Sequence, residues 1–465
     1  MRKRLFGRHG AITLFLCLLL SAVILLESIY VAGAYRRKQE VILTESVSHQ
    51  VEQILSQFDR NALNWYGVYG MTQVESGSSV FEKMTEGIAD VGYSYELTDE
   101  LALSDILASV SEYMRLRGIA FEGADLLSRL NASIAQLSGS DKLNGVGVAA
   151  WLPTFKAYLE NRKKYSPVMS VVEKVCDATG LSEKLSDFFD FADDLSEVWA
   201  RNSSAALEIG DSSVMVSVFD PSCISSLTKA FDVYMDADLP DMADRLLLNE
   251  YAVYSFDSFV KSYETDSGMK EETNILGIPF SDIHGDNRGD LEYLLIGNSH
   301  PAVNSHESFG LLLGIRLILN MSAYMLDETK KEMALGIAEV LSILITLLSA
   351  GTIIVEPTIL QYVVLFVMAY IRAFRDGLRL LSGDSVPVFY NDKVTGTLGD
   401  LAETSYRDYY RIFLLFVPEE KLLERMKLVI FKDCGYLFTG VSATGRIRGS
   451  DYTVRRRYEL YENHE

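Results

Sequence analysis

Histidines, cysteines and carboxylates are the side chains of this 465-residue chain that could do chemistry. Its histidines, His9, His49, His284, His300, His306 and His464, are dispersed. His300 and His306 straddle Pro301; that spacing is not a helical metal pair, and the segment reads as a polar surface loop. Asp282, Asp286 and Asp290 around Gly285 and Gly289 suggest a calcium loop. No starting position, however, gives the glycine and glutamate register of an EF-hand. Asp232, Asp236, Asp238, Asp241 and Asp244 around Pro240 read as a solvated turn entering a helix. Arg288-Gly289-Asp290 is too short a motif to carry weight. No C-x-x-C, G-x-S-x-G or H-E-x-x-H pattern and no phosphate-cradling glycine loop is present. Cys17 lies in an apolar run, and Cys176, Cys223 and Cys434 leave room for one bridge but no disulfide framework. The expectation is a protein that is not an enzyme, with no catalytic residue, no cofactor and no metal site.

The chemistry that does stand out is that of a bilayer. Arg2, Lys3, Arg4 and Arg8 lead to Gly10; an apolar run from Ala11 to Leu26 passes Glu27 and reaches Ala34; Arg36-Arg37-Lys38 closes it. About 20 apolar residues suffice to span a ~30 Å hydrocarbon core as a helix. Three fates are open: a signal peptide cut after Ala32-Gly33-Ala34, a prepilin-like leader cut between Gly10 and Ala11, or an uncleaved anchor with its basic end in the cytoplasm. Each leaves the bulk of the chain outside the cytoplasm. Glu27 either snorkels to the outer interface, meeting Arg36 or Lys38, or pairs with a neighbouring subunit inside the membrane.

Net charge is -21. The first 40 residues are basic, so the remainder is more acidic than that total. Such a surface repels a phosphate backbone, which excludes nucleic acid as a partner. The membrane, other envelope proteins and self-association remain.

The elements that would carry these residues are mostly helical. One helix is expected from Ala11 to about Leu63, roughly 80 Å at 1.5 Å per residue, with Gly67 as its C-cap. Val47, Val51, Ile54, Phe58 and Ala62 form a heptad-like stripe on it, expected to pair with a partner helix. A helical region follows over 68–210, with Gly180 as a break, and Ser212–Phe219 is the first convincing strand. An apolar hairpin over 333–371 is interrupted by Glu356-Pro357; its second half is too short to span a bilayer. It reads as a buried core hairpin, with a membrane-docked one as the alternative. Ser342, Thr346, Ser349 and Thr352 form a thin polar stripe on it. Strands are expected in 435–461, with Arg446, Arg448, Arg455, Arg456 and Arg457 guarding an edge. The fold class is therefore α+β and helix-rich. Its parts are a leader (1–10), a membrane helix (11–34), a membrane-proximal helix (35–67), a helical region (68–210) and an exported α+β region (211–465).

Several phrases together resemble a known group. Gly10-Ala11-Ile12-Thr13-Leu14-Phe15 with Leu25-Leu26-Glu27-Ser28 resembles the opening "GSITVFL…LLESAR" of a clostridial family. Gln57-Phe58-Asp59-Arg60 with Trp65-Tyr66-Gly67 is similar to "QYDR…EYGL", and Glu112–Gly118 to "EYMKYRG". Leu247–Tyr251, Leu291–Asn298, Val386-Pro387-Val388 and Ser405–Tyr409 resemble "LLVNEYI", "VEYILYGN", "VPLIK" and "SYEDYLR". The group is a TadE/TadG-like set of membrane-anchored proteins of Gram-positive bacteria, associated with tight-adherence (Flp-type) pili. The resemblance implies a pseudopilin-like or pilus-assembly component and carries over no catalytic residue. Where pilin-like leaders have a glutamate five residues after the cleavage point, this chain has Phe15. An exported enzyme or ligand-sensing domain, or a soluble protein released after Ala34, are the competing expectations.

Overall fold

The computed structural model describes residues 3–74, 77–115, 130, 132–133, 166–199, 204–209, 212–217, 239–265, 268–274, 276–284, 289–389 and 403–462. The chain is a helix-rich α+β protein with a long N-terminal apolar helix and a small antiparallel sheet near its C-terminus. It divides into two compact units, one of Met1–Ser109 with Ile430–Glu465 and one of Val110–Val429. This division corrects the linear reading of 211–465 as a single region. Strand Phe438–Ile447 pairs with Val91–Glu100, and that pairing ties the C-terminal strands to the N-terminal part.

In the first unit, a single helix runs from Lys3 to Leu55, about 80 Å of continuous helix. Its apolar side chains from Ile12 to Tyr35 are exposed. From Gln39 onward one face turns inward, and Gln39, Leu43, Ser46, Val47, Gln50, Val51 and Ile54 are buried at steps of three and four. The helix ends at Leu55, short of the expected Leu63. Asp59 offers its carboxylate to the backbone N–H groups of Asn61 (2.8 Å) and Ala62 (3.0 Å), so a new short helix, Arg60–Tyr66, starts there. Gly67 closes that helix at φ 67°, the left-handed conformation that glycine adopts most freely.

The sheet has the order Val91–Glu100, Phe438–Ile447, Ser450–Arg457, all antiparallel. Arg448 and Gly449, both at positive φ, make the tight hairpin turn between the last two strands. Leu43, Val47, Val51 and Ile54 from the helix pack with Met71, Phe81, Val441, Ala443 and Ile447 in one core. Gly445 lets the helix close on the central strand: a Cβ there would sit 2.6 Å from Val47 Cγ2. The arginines of the last strands find acids: Arg446 pairs with Asp451 (2.6 Å), Arg455 with Asp99 (2.5 Å), Arg456 with Glu52 (2.6 Å) and Arg457 with Asp105 (2.5 Å).

The second unit is built on three apolar helices, Pro301–Leu326, Glu328–Leu348 and Pro357–Leu381. The last two form the expected hairpin. The first corrects the reading of His300–His306 as a surface loop. Pro301 stands in its first turn, where a missing N–H and a fixed φ are no cost, His300 is the N-cap residue, and His306 is helical. Asp327 caps the next helix by accepting from Thr329 N–H (3.0 Å) and Lys330 N–H (3.3 Å). Gly377 brings Pro357–Leu381 close to Pro301–Leu326, since a Cβ there would meet the Phe309 ring at 2.9 Å. By length and hydropathy, three helices among the described residues could cross a membrane: the one over Ile12–Leu55, Pro301–Leu326 and Pro357–Leu381. The most apolar stretch of the first is wholly uncovered by the protein, whereas those of the other two are largely buried, at 78% and 61%.

Helices Ser166–Thr179 and Ser182–Trp199, separated by Gly180 at φ 76°, belong to this unit. Strands Ser204–Ile209 and Ser212–Ser217 pair antiparallel. The acidic run Asp232–Asp244, Cys223, Asp286 and Arg288 lie outside the residues whose side chains are described. Cys17, Cys176 and Cys434 are free thiols.

Candidate functional site

In the second unit a short helix, Tyr406–Phe413, gathers several buried polar side chains. Ser405 and Asp408 form a capping box at its start, which fixes where the helix begins and therefore which faces its side chains take. Tyr406 and Tyr410, one turn apart, turn inward with their hydroxyls 2.8 Å from each other. Arg407 and Arg411, also one turn apart, occupy a second face.

Each arginine is held on several sides. Arg411 Nε donates to Glu250 Oε2 at 2.8 Å, and its Nη atoms reach Asp408 and the Tyr254 hydroxyl (3.3 Å). Arg407 donates to the Phe256 carbonyl at 2.5 Å, pairs with Glu272 at 3.3 Å and stacks 4.6 Å over the Phe280 ring. Asn249 donates to the Arg411 carbonyl (3.0 Å) and Arg245 to the Leu414 carbonyl (2.6 Å), closing the orphan carbonyls at the helix end.

Arg407, Arg411, Asp408, Glu272, Tyr254 and Tyr263 line a cleft of about 630 Å³, together with Ser405, Thr273 and Asn274. Burial pushes the Glu272 carboxyl above its usual range, against the pull of Arg407 and Arg411. A cleft with two planar guanidinium groups and two carboxylates suits a small ligand bearing both charge signs, or a polar peptide segment. Its lining includes no histidine, cysteine or lysine, and the Ser405 hydroxyl donates to Asp408 Oδ2 at 2.8 Å as part of the helix cap.

Beneath the cleft, Glu292 accepts from the Tyr406 hydroxyl (2.9 Å) and from Phe259 N–H (3.2 Å). Burial raises its carboxyl to about 7, with those hydrogen bonds acting in the opposite direction.

The residues singled out by sequence are placed elsewhere. Gly10 and Ala11 are helical. Glu27 is exposed on the apolar stretch and makes no ion pair among the described residues, while Arg36 pairs with Glu40 at 3.5 Å. Val47, Val51 and Ile54 are covered by the chain's own sheet rather than presented to a partner. Phe58 lies past the helix end, its ring 5.5 Å from Tyr69, and Ala62 is buried in the following helix. Among the described residues no three His, Cys, Asp or Glu side chains are grouped to hold a metal ion, and Asp290 is buried at the start of helix Asp290–Ile296.

Motif reasoning missed the cleft because no spacing in it matches known chemistry. A signal was present nonetheless. Leu291–Asn298 and Ser405–Tyr409, two phrases that carried the resemblance, meet here through Glu292 with Tyr406, and Glu250 of a third, Leu247–Tyr251, pairs with Arg411 just beyond the second.

Fold and site thus define a helix-rich α+β protein with an N-terminal helix of membrane-crossing length and a polar cleft in its larger unit. A family of unknown function (DUF5702) matches residues 222–433, a little under half of the chain, and that match contains the whole cleft. No curated protein and no solved structure matches the chain.

Proposed function

We propose that this protein is a membrane-anchored, non-enzymatic assembly component of a tight-adherence-type pilus or a related secretion system. The basic leader stays in the cytoplasm and the chain beyond the apolar stretch lies outside it, as the balance of basic residues around that stretch favours. The observation that carries the reading is the Lys3–Leu55 helix: its apolar stretch is exposed, and without a break it becomes the core helix of a folded unit. A membrane segment welded to a sheet in this way transmits position and force; a flexible signal anchor would not. The pilus assignment rests on the resemblance of the ordered phrases. Partners are the membrane and other envelope proteins, contacted by surfaces other than the Val47–Ile54 stripe.

The test is the intact mass and N-terminal sequence of the protein extracted from its native membrane. A start at Met1 supports a fixed assembly scaffold, and a start at Ala11 a subunit that enters a fibre. A start at Tyr35 overturns the anchor and the proposal with it.

A second reading, an exported ligand-sensing domain, is favoured by the Arg407–Arg411 cleft. It requires a small zwitterionic or anionic compound that raises the melting temperature of the protein and loses that effect in Arg411→Lys, where the charge stays and the fork is lost.

A further inference from the structure

The hairpin of Glu328–Leu348 and Pro357–Leu381 segregates its polarity from end to end. Glu328, Lys330, Lys331 and Glu332 sit at one end of the first helix, and Arg372, Arg375, Asp376 and Arg379 gather toward the same end of the second. Toward the turn, Val340–Val355 and Pro357–Ile371 are uncharged, and Glu356 stands alone between them.

At the turn this apolar sequence is uncovered. Leu347, Leu348, Ile353, Ile354 and Ile359 are all exposed, Ile354 at 80%. Apart from the N-terminal helix, the other exposed large apolar side chains of the described residues are scattered along the chain. A contiguous apolar patch on an otherwise strongly acidic protein marks a place that meets protein or lipid.

Over 342–353 many of the polar groups bond within the hairpin. Gly351 N–H donates to the Thr346 carbonyl (2.8 Å), Thr352 N–H to the Ser349 carbonyl (3.1 Å) and Ile353 N–H to the Ser349 hydroxyl (3.0 Å). The hydroxyls of Ser342, Thr346 and Thr352 donate to the carbonyls of Val355 (2.6 Å), Ser342 (2.9 Å) and Ser349 (2.6 Å). The second helix begins on Pro357, which has no N–H to satisfy. Bonds of this kind lower the cost of moving that part of the turn out of water, since unsatisfied N–H and C=O groups are what lipid penalises most.

We infer that the 347–359 turn inserts into the interfacial layer of the bilayer, as a second membrane contact beside the N-terminal helix. The occupant is lipid rather than a second copy. Stable protein interfaces use about 20–30 residues a side, and this turn is short and convex. The acidic surface elsewhere resists anionic head groups, whereas this turn carries one exposed carboxylate, Glu356, and is otherwise uncharged. The N-terminal helix holds the chain at the membrane, so even weak insertion is favoured by effective concentration. The inference rests on the membrane anchoring of the proposed function and deepens it by giving the exported part a lipid contact of its own.

The test uses the full chain in phosphatidylcholine liposomes, with a single environment-sensitive fluorophore on Ile354→Cys after the native cysteines are replaced. Leu428→Cys, exposed on another helix of the chain, is the reference site. Insertion predicts blue-shifted emission at 354, quenched by lipids carrying a nitroxide just below the head groups, and neither effect at 428. Protein that floats with the liposomes while the label at 354 emits as in water overturns the inference and leaves the anchor intact. Failure to float overturns the anchor itself. A blue shift that nitroxide lipids do not quench, and that disappears at one protein per nanodisc, means that a second copy covers the turn, which also overturns the inference. A companion label at Leu348, tested with Ile353→Asp and Ile354→Asp together, should lose its blue shift while far-UV circular dichroism is retained.

Discussion

Tyr406 donates its hydroxyl to Glu292 Oε1 at 2.9 Å, so that a fully buried carboxyl is held by a phenol and the Phe259 N–H, with no ion pair to it among the described residues. Hydrogen bonds without a partner charge leave the desolvation of the carboxylate largely uncompensated. The group is therefore a source of pH dependence.

Glu292 has a carboxyl raised to about 7 in the folded protein, against 4.5 for an unburied glutamate. Between those values the folded state holds a proton that the unfolded state has released. Its contribution to stability is complete below about pH 4.5 and is lost as pH rises through about 7, amounting to roughly 3 kcal/mol. Urea unfolding of the detergent-solubilised protein at about pH 5 and about pH 8, compared with Glu292→Gln, reads that difference. Identical pH slopes in the two proteins would remove Glu292 from the account.

Arg316 is fully buried on Pro301–Leu326 and pairs with Asp376 on Pro357–Leu381, which also accepts from Asn320 at 3.1 Å. Arg316 donates further to the carbonyls of Pro387 (3.0 Å) and Val388 (3.2 Å). Arg316→Met leaves the buried Asp376 carboxylate with only the part-exposed Arg372, at 3.3 Å, and Asn320, and should cost about 3 kcal/mol. Arg316→Met with Asp376→Leu removes both charges and should cost less than the single change. A double variant less stable than the single one would show that the pair holds more than its own charges.

Gly445 on the central strand faces Val47 and Leu43 of the long helix, where an added Cβ meets Leu43 Cδ1 at 3.0 Å. Gly445→Val should destabilise the first unit by about 1–3 kcal/mol through overpacking, with faster amide exchange over residues 43–54. Gly92→Ala, whose Cβ would have ordinary contact with Arg446 at 3.7 Å, is the control and should change neither. Equal exchange in both variants would mean that the helix does not rest on the strand.

Val51 is buried in the same core, so Val51→Asp places an unpaired carboxylate there and should cost several kcal/mol. Val41→Asp, half-exposed on the same helix, should be close to neutral. Thermal unfolding of the two variants separates an internal stripe from one that serves a partner. Unfolding of Val51→Asp at the wild-type temperature would return the stripe to intermolecular pairing.

The sequence by itself determined what short-range rules govern. The continuity of the apolar helix follows from consecutive residue types, though not its end at Leu55; the left-handed turn at Gly67, which caps a separate short helix, and the break at Gly180 follow from the need for a left-handed residue. The hairpin followed from apolar runs around Glu356-Pro357, and the α+β class from the C-terminal alternation. Periodicity also showed that the Val47–Ile54 face is covered. It could not show by what, because a buried face reads alike whether a partner helix or the chain's own strand lies on it. The tertiary structure decided that point through the pairing of Val91–Glu100 with Phe438–Ile447, residues more than 300 apart in the chain. It likewise decided that Glu250, Glu292, Tyr406 and Arg411 meet. Long-range pairing leaves no local periodicity, since it depends on the sum of packing over the fold rather than on the spacing of neighbours. For the same reason the Pro301–Leu326 helix escaped the reading: buried on nearly all sides, it has no polar face to betray its period.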